Sequence, residues 1–182
     1  MLRTHATAGA VALVACCALG AGTAAAAGDG CARAAAVADD ATLRLASDSV
    51  LCVVNSARAM HGVRPLRASR LLHRSAQRHS RDMVARRFFS HVSPNGMNAR
   101  QRIVRTGYLR RRPGGKIGET IGWGSDRQAT PAELVSSFMN SAAHRPLLLD
   151  RRFREIGVGL ALGAPVAGMD GATLTLDFGR RW

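Results

Sequence analysis

The amino-acid sequence predicts an α+β fold, with helices packed on a small sheet. Helical periodicity dominates the first half of the chain, where residues 70–87 place apolar side chains at every third or fourth position and arginines opposite them. Strand-like alternation occurs only later, in residues 117–123, 155–162 and 172–179. Because the turn-forming segment GAPVAGMDG joins the last two runs, they predict an antiparallel hairpin at the end of the chain.

The chain begins with a segment typical of export. Residues 1–27 contain an early arginine, a long run of small and apolar residues, and Ala-Ala-Ala before Gly28. This pattern predicts a signal peptide cleaved after Ala26 or Ala27, and therefore a secreted, extracellular or cell-wall-associated protein without a transmembrane segment after cleavage. The alternative is a lipoprotein anchored at Cys16 in LVAC, although apolar sequence continues beyond that cysteine.

Two cysteines remain once the leader is removed, and an exported chain most simply joins them in a disulfide. We predict a bond between Cys31 and Cys52, which would tie an N-terminal arm, residues 28–47, to the first strong helix. The closed loop of about twenty residues would contribute roughly 3 kcal/mol in the chain-entropy model. The alternative, a pair of free thiols that bind a metal, lacks a C-x-x-C pair.

The helices follow in order along the chain. The predicted ranges are 43–61, 70–87, 97–107 and a helix that begins near Pro131. Gly62 and Pro65 are stop signals for the first helix, and Thr130 with Glu133 three residues later is a capping pattern for the last. About 155 residues follow the leader, which is the size of one domain, and we expect a monomer.

The charge of the chain bears on its partners. The formal net charge is +14, almost all of it from arginine. Four arginines form a stripe on the polar face of the second helix: Arg70, Arg74, Arg78 and Arg81. Such a surface predicts binding to anionic lipid or an acidic cell-wall polymer, and the alternative is an Arg-rich composition spread over a solvated surface. Aromatic residues make up only 4% of the chain, which leaves few platforms for stacking bases and argues against nucleic acid.

Glu119 is a candidate functional residue because it lies on an apolar strand face. In the strand over 117–123 it shares one face with Ile117, Ile121 and Trp123, and glycine or threonine occupies the other face. A carboxylate on such a face must be paired, hydrogen-bonded or neutralised. The simpler interpretation is a salt bridge to one of the many arginines, and the functional interpretation is that a histidine faces it.

Two histidines are candidates for that partner. His91 follows two phenylalanines in FFSHVSPNG, where an apolar element breaks into a turn. His144 lies three residues after Ser141, so on a helix the two would share a face. A Ser–His nucleophile pair is the alternative for these two residues, but the chain has no G-x-S-x-G segment. His79, on the apolar stripe of the second helix, is predicted to be a hydrogen-bonded core histidine.

Several short motifs occur in the order that is found in one protein family. They are NSARAMHGVRPL (55–66), AQRHSRDM (76–83), FFSH (88–91), GY (107–108), GETIGWG (118–124), SAAHRPLLL (141–149), GVG (157–159) and DFG (177–179). The chain resembles the CAP superfamily of cysteine-rich secretory proteins, antigen 5 and pathogenesis-related one proteins, and within it the bacterial secreted SCP-like branch. The resemblance implies a CAP domain over 48–182, built as a three-layer α-β-α sandwich with a small central antiparallel sheet.

The resemblance also implies a site. In CAP domains the histidine of the SH step, the glutamate of the GEN step and a later histidine line one cleft, and these fall on His91, Glu119 and His144. In animal and plant members a second acidic residue completes a tetrad, and some members bind a divalent metal there. Here Ser141 stands at the second acidic position and Thr120 replaces the Asn of GEN. The lost carboxylate weakens a metal site, although two histidines and a glutamate match zinc ligands in kind.

These observations lead to one main hypothesis and two alternatives. The main hypothesis is a non-catalytic binding module for an extracellular ligand, which would be a lipid, a cell-wall polymer or a protein. The first alternative is a metal-assisted hydrolase, for example a peptidase, that uses zinc in the same cleft. The second alternative is a structural protein that binds polyanions through its arginine-rich surface.

Overall fold

Helices come first and most of the sheet comes last, as the sequence predicts. The computed structural model describes residues 31–110 and 114–182. The helices are α1 (Leu43–Met60), α2 (Arg70–Arg86), α3 (Ala99–Arg105), α4 (Pro131–Asn140) and α5 (Arg145–Leu148). The strands are β1 (Arg67–Ala68), β2 (Gly115–Gly124), β3 (Glu155–Leu162) and β4 (Ala172–Arg181). The fold is therefore α+β.

The strands form one sheet in the order β1-β3-β4-β2. β3 and β4 pair antiparallel, with Val158 opposite Leu176, which confirms the predicted hairpin. β2 pairs antiparallel with the other side of β4, and this register places Glu119 opposite Asp177. β1 adds two residues parallel to the start of β3. Its two exposed residues are too few to produce a periodic pattern, so the sequence did not predict it.

Helices cover the sheet on both faces and make three layers. On one face, apolar residues of α1 and α4 pack against β3 and β4: Ala46, Val50, Val54, Leu134, Val135, Phe138, Ile156, Val158, Leu160, Leu174, Leu176 and Phe178. On the other face α2 packs directly on β3, and two glycines permit this close approach. A Cβ at Gly157 would collide with the backbone of Leu72, and one at Gly159 with the backbone of Ala76. The small and polar side chains on this face of β4 are therefore fully buried as well.

Side-chain caps fix the helices that border the site. Thr130 Oγ1 accepts a hydrogen bond from the backbone N–H of Glu133 at 3.3 Å, which is the predicted start of α4. α3 begins with a capping box, in which Asn98 and Gln101 each accept a bond from the other's backbone N–H at 3.0 and 2.9 Å. The box sets the direction of this seven-residue helix.

The predicted disulfide between Cys31 and Cys52 is present. Cys52 lies within α1, so the bond ties the segment that starts at Cys31 to the body of the domain. The predicted leader, residues 1–27, and the alternative lipidation site at Cys16 lie outside the described residues. Within 31–110 and 114–182, no helix is both long and apolar enough to cross a bilayer.

Side chains of α2 occupy the edge of β3 that β1 leaves open. The amide of Gln77 donates to the carbonyl of Leu160 at 2.8 Å and accepts from the N–H of Leu160 at 3.1 Å. One turn earlier, Nδ1 of His73 donates to the carbonyl of Val158 at 2.6 Å. These bonds satisfy backbone groups that a further strand would otherwise pair.

Candidate functional site

Glu119 is the centre of the candidate site. It lies in the middle of β2 and its residue is 8% exposed. Nδ1 of His91 donates to its Oε1 at 2.8 Å, and Nη2 of Arg102 donates to its Oε2 at 2.6 Å. A histidine and an arginine were the two alternative partners predicted for Glu119, and both contact it. Burial acts to raise the pKa of Glu119, but the hydrogen bond from His91 and the charge of Arg102 outweigh it and hold the pKa below its usual range.

Arg102 joins α3 to the loop that carries His91. Besides its bond to Glu119, its Nη1 donates to the carbonyls of His91 at 2.9 Å and Met97 at 2.8 Å. The guanidinium therefore fixes both the carboxylate and the backbone of the residue that faces it. The sequence does not reveal this role, because α3 contains three arginines and nothing in their spacing separates the buried one from Arg100 and Arg105.

His91 lies in the loop between α2 and α3, at the surface of the protein. Its side chain is 52% exposed, whereas that of Glu119 is 2% exposed. Two apolar neighbours in the same loop are also exposed, Phe89 at 47% and Val92 at 48%. The loop thus exposes an imidazole and two apolar side chains that are close in sequence, next to the buried carboxylate of Glu119.

Ser141 and His144 do not share a helix, which corrects the expectation from their spacing. α4 ends at Asn140 and Ser141 is extended, with ψ of 124°, so His144 precedes a new short helix. The chain restarts there because Pro146 suits a first helical turn, where the N–H that proline lacks would be unbonded. Ser141 Oγ and Nδ1 of His144 nevertheless lie 2.9 Å apart.

His144 lies beside the pair formed by His91 and Glu119 without a hydrogen bond to it among the described residues. Its ring packs on Phe138, with centroids 5.1 Å apart. Burial lowers the pKa of His144, and the charge of His91 lowers it further. The two imidazoles are therefore close enough to interact electrostatically, and His144 is harder to protonate when His91 is charged.

Asp177 is a second carboxyl group, which sequence analysis did not assign to the site. It is opposite Glu119 in the sheet and fully buried. Within the described chain neither of its oxygens has a hydrogen-bond partner. Burial and then the charge of Glu119 raise the pKa of Asp177 well above its usual range, which favours the protonated, neutral acid. The available signals were its position in the DFG motif and its alternation with buried threonines.

His79 is a core residue, as predicted. It is buried in α2, and its Nε2 donates to the carbonyl of Ser90 at 3.0 Å. Burial lowers the pKa of His79 and keeps the imidazole neutral. This bond anchors the start of the loop that carries His91.

The carboxylate of the site is not free to bind a metal ion, because both oxygens of Glu119 are occupied, one of them by the cationic Arg102. His91 and His144 each bond through Nδ1, so of these three residues only the two Nε2 atoms remain as metal ligands. Across the described ranges, no three His, Cys, Asp or Glu side chains are placed to hold a metal. Nor does a carboxylate in this part of the chain orient His144, as a Ser–His hydrolase requires of its base.

Comparisons with known proteins identify a protein family and a bacterial relative. The model of the cysteine-rich secretory protein family (CAP) matches residues 51–168. The Bacillus subtilis protein YkwD is 34% identical over 110 residues, which cover 60% of this chain and 40% of YkwD. The chain therefore matches less than half the length of that relative.

Solved structures of low sequence identity share the fold. An extracellular protein containing an SCP domain from Bacillus anthracis superposes with a TM-score of 0.62 and 23% identity, over 79% of this chain and 44% of that one. An outer surface protein from Borrelia burgdorferi gives a TM-score of 0.58 and 17% identity, over 73% and 90% of the two chains.

Proposed function

Because the chain belongs to the cysteine-rich secretory protein (CAP) family, we propose that it is an extracellular binding module rather than an enzyme. The observation that carries this proposal is the pairing of Glu119, whose two oxygens accept hydrogen bonds from His91 and Arg102. A carboxylate held in this way is poorly placed to accept a proton or to coordinate a metal. It is well suited to fixing the exposed imidazole beside it.

The proposed contact surface, which we name the His91 surface, consists of Phe89, His91, Val92 and the half-buried His144. Two exposed apolar side chains beside a cationic or hydrogen-bonding imidazole suit a ligand with an apolar part and an anionic group. The net charge of +14 favours the same sign of ligand. An anionic lipid has both parts, so it is the ligand class that we propose.

Export is part of the proposal. The signal peptide over residues 1–27 is a sequence-based prediction, and it agrees with the disulfide between Cys31 and Cys52, since such bonds persist in oxidising compartments outside the cytosol. Bacterial proteins of the same fold include ones described as extracellular or as outer surface proteins. Both observations support action outside the cell.

The His91 surface can be tested by replacing Phe89 with alanine. We expect affinity for vesicles of phosphatidylglycerol and phosphatidylcholine to fall by about tenfold, because the variant loses the burial of one aromatic side chain in the lipid interface. Co-sedimentation with the vesicles measures this. Met60→Ala is the matched control, since Met60 is also apolar and 79% exposed, but at the end of α1.

Two outcomes would contradict the lipid proposal. One is an equal loss of vesicle binding in Phe89→Ala and Met60→Ala. The other is binding of the wild-type protein to a purified anionic wall polymer but not to vesicles, which would assign the surface to the wall instead. If the proposal is correct, Met60→Ala should bind vesicles as the wild-type protein does.

A second candidate function is polyanion binding through the arginine stripe of α2, and one observation favours it. All four of its arginines are exposed: Arg70, Arg74, Arg78 and Arg81. Replacing them together with alanine should weaken binding to anionic vesicles at least about tenfold at low salt, since each basic residue near such a surface contributes about 1 kcal/mol. Wild-type binding should fall steeply as salt is added.

The matched control removes the same charge elsewhere, from exposed arginines outside α2: Arg64, Arg67, Arg151 and Arg180. Equal losses in the two quadruple variants would assign the effect to net charge and not to the stripe. Binding that survives high salt unchanged would exclude the stripe as its cause.

A further inference from the structure

A cavity of about 280 Å³, lined almost entirely by polar and charged residues, lies between α2 and α3. Its floor includes three buried polar residues, Ser75, His79 and Arg102. Exposed arginines from both helices line its mouth, namely Arg78, Arg86 and Arg105. Neither His91 nor His144 contributes to the lining, so the cavity is distinct from the His91 surface.

Two polar groups in the floor lack partners. Ser75 is 2% exposed and lies beside the buried carboxyl of Asp177, and Arg102 is 8% exposed. Within the described residues neither Ser75 Oγ nor Arg102 Nε makes a hydrogen bond. The other two nitrogens of the Arg102 guanidinium both donate hydrogen bonds, so Nε is the one nitrogen of the group without a partner in this part of the chain. Buried donors without acceptors are rare in native proteins, because each one forgoes its hydrogen bonds to water. A ligand with acceptor oxygens would satisfy both.

The charges around the cavity favour an anion. Asp82 pairs with Arg86 at 3.6 Å, and Glu119 pairs with Arg102 at 2.6 Å. Among the residues that the structure describes, no carboxylate lies within 4.0 Å of Arg78 or Arg105, the remaining two arginines of the lining. The mouth therefore carries two positive charges that the protein itself does not compensate, and His79 below is neutral because burial lowers its pKa.

We propose that this cavity binds a small phosphate-bearing anion, with Arg78 and Arg105 as charged clamps and Ser75 and Arg102 as donors at the floor. Two guanidinium groups that line one cavity match the oxygens of a phosphate, which accepts paired N–H bonds. The volume is just below the range of cavities that hold drug-sized ligands, so it suits inorganic phosphate or a single phosphorylated headgroup or sugar. The proposal does not depend on the function proposed for the His91 surface.

Inorganic phosphate is the probe for the test, titrated into the isotope-labelled protein at constant ionic strength. We expect saturable shifts of the backbone amide signals at Ser75, Arg105 and Thr106. Arg78→Ala combined with Arg105→Ala should weaken the affinity at least tenfold. The control is Arg74→Ala, an exposed arginine one turn earlier on α2 that is outside the lining, and it should bind phosphate as the wild-type protein does.

A second measurement keeps the test independent of spectral effects of the substitutions. Phosphate should raise the thermal midpoint of the wild-type protein and of Arg74→Ala, but not that of the double variant, because only a ligand of the folded state stabilises it. Shifts that never saturate, or an equal loss of binding in Arg74→Ala and the double variant, would overturn the site. The shifts would then reflect non-specific screening of the protein's charge by phosphate. Ser75→Ala, which removes only the unpartnered hydroxyl, should weaken phosphate binding several-fold, and unchanged affinity would overturn its role in the floor.

Discussion

Replacing Arg102 with methionine should destabilise the protein by about 3–5 kcal/mol, because the substitution leaves Glu119 as a buried charge with only His91 beside it. For a chain of this size the loss corresponds to a fall of the thermal midpoint on the order of 10 °C. Urea unfolding at neutral pH measures the free energy directly. Arg100→Met is the matched control, since Arg100 is exposed on the same helix, and it should change the stability by less than about 0.5 kcal/mol.

The double variant Arg102→Met with Glu119→Gln separates the charge from the packing. If the unpaired carboxylate is the cause, neutralising it should recover most of the lost free energy, and the two substitutions should be strongly non-additive. A double variant as unstable as the sum of the single variants would show that Arg102 acts through its bonds to the loop carbonyls instead. A single variant as stable as the Arg100 control would contradict the buried ion pair.

Asp177→Asn should leave the protein folded and change how its stability depends on pH. The raised pKa of Asp177 means that the folded state holds a proton which the unfolded chain releases. This contribution is fully present below the unfolded-state pKa of about 3.9, decreases as the pH rises, and is lost once the pH passes the folded-state pKa. Asparagine mimics the protonated acid and does not titrate. For each pH unit over that range, the ratio of folded to unfolded protein should therefore rise by up to about tenfold in Asp177→Asn relative to the wild-type protein.

Urea unfolding of both proteins between about pH 4 and pH 8 tests this dependence. Asp170→Asn is the control, because Asp170 is exposed in the connection between β3 and β4, and its curve should run parallel to that of the wild-type protein. A carboxylic-acid carbonyl band should also be present in the infrared spectrum at neutral pH and absent in Asp177→Asn. Parallel stability curves for Asp177→Asn and the wild-type protein would show that Asp177 is ionised in the folded state.

The parts of the fold that the sequence predicted are those that local physics determines. α2 repeats its apolar positions over 17 residues, and Thr130 with Glu133 marks the start of α4 by a bond between near neighbours in the chain. The β3–β4 hairpin alternates over its whole length. In each case the relevant interactions join residues a few positions apart, or the period itself reports the buried face.

The parts that the sequence did not predict depend on contacts between distant segments. The alternation at Glu119 indicated a carboxylate that needed a partner, but only the placement of α3 beneath the His91 loop selects Arg102 among many arginines. Asp177 alternates with threonines, which resembles a solvated strand face, and α2 buries that face. Ser141 and His144 have helical spacing, but a break between two helices separates them.

The bonds from Gln77 and His73 to β3 also limit how the protein can associate with copies of itself. A strand edge with free carbonyls and N–H groups can nucleate the growth of a sheet from one molecule to the next, which is a common first step towards aggregation. Here the carbonyl of Val158 and both backbone groups of Leu160 are already bonded to a helix that is packed on the sheet. An incoming strand would have to displace α2 before it could pair, so this edge is closed to intermolecular β-addition while the native fold is intact.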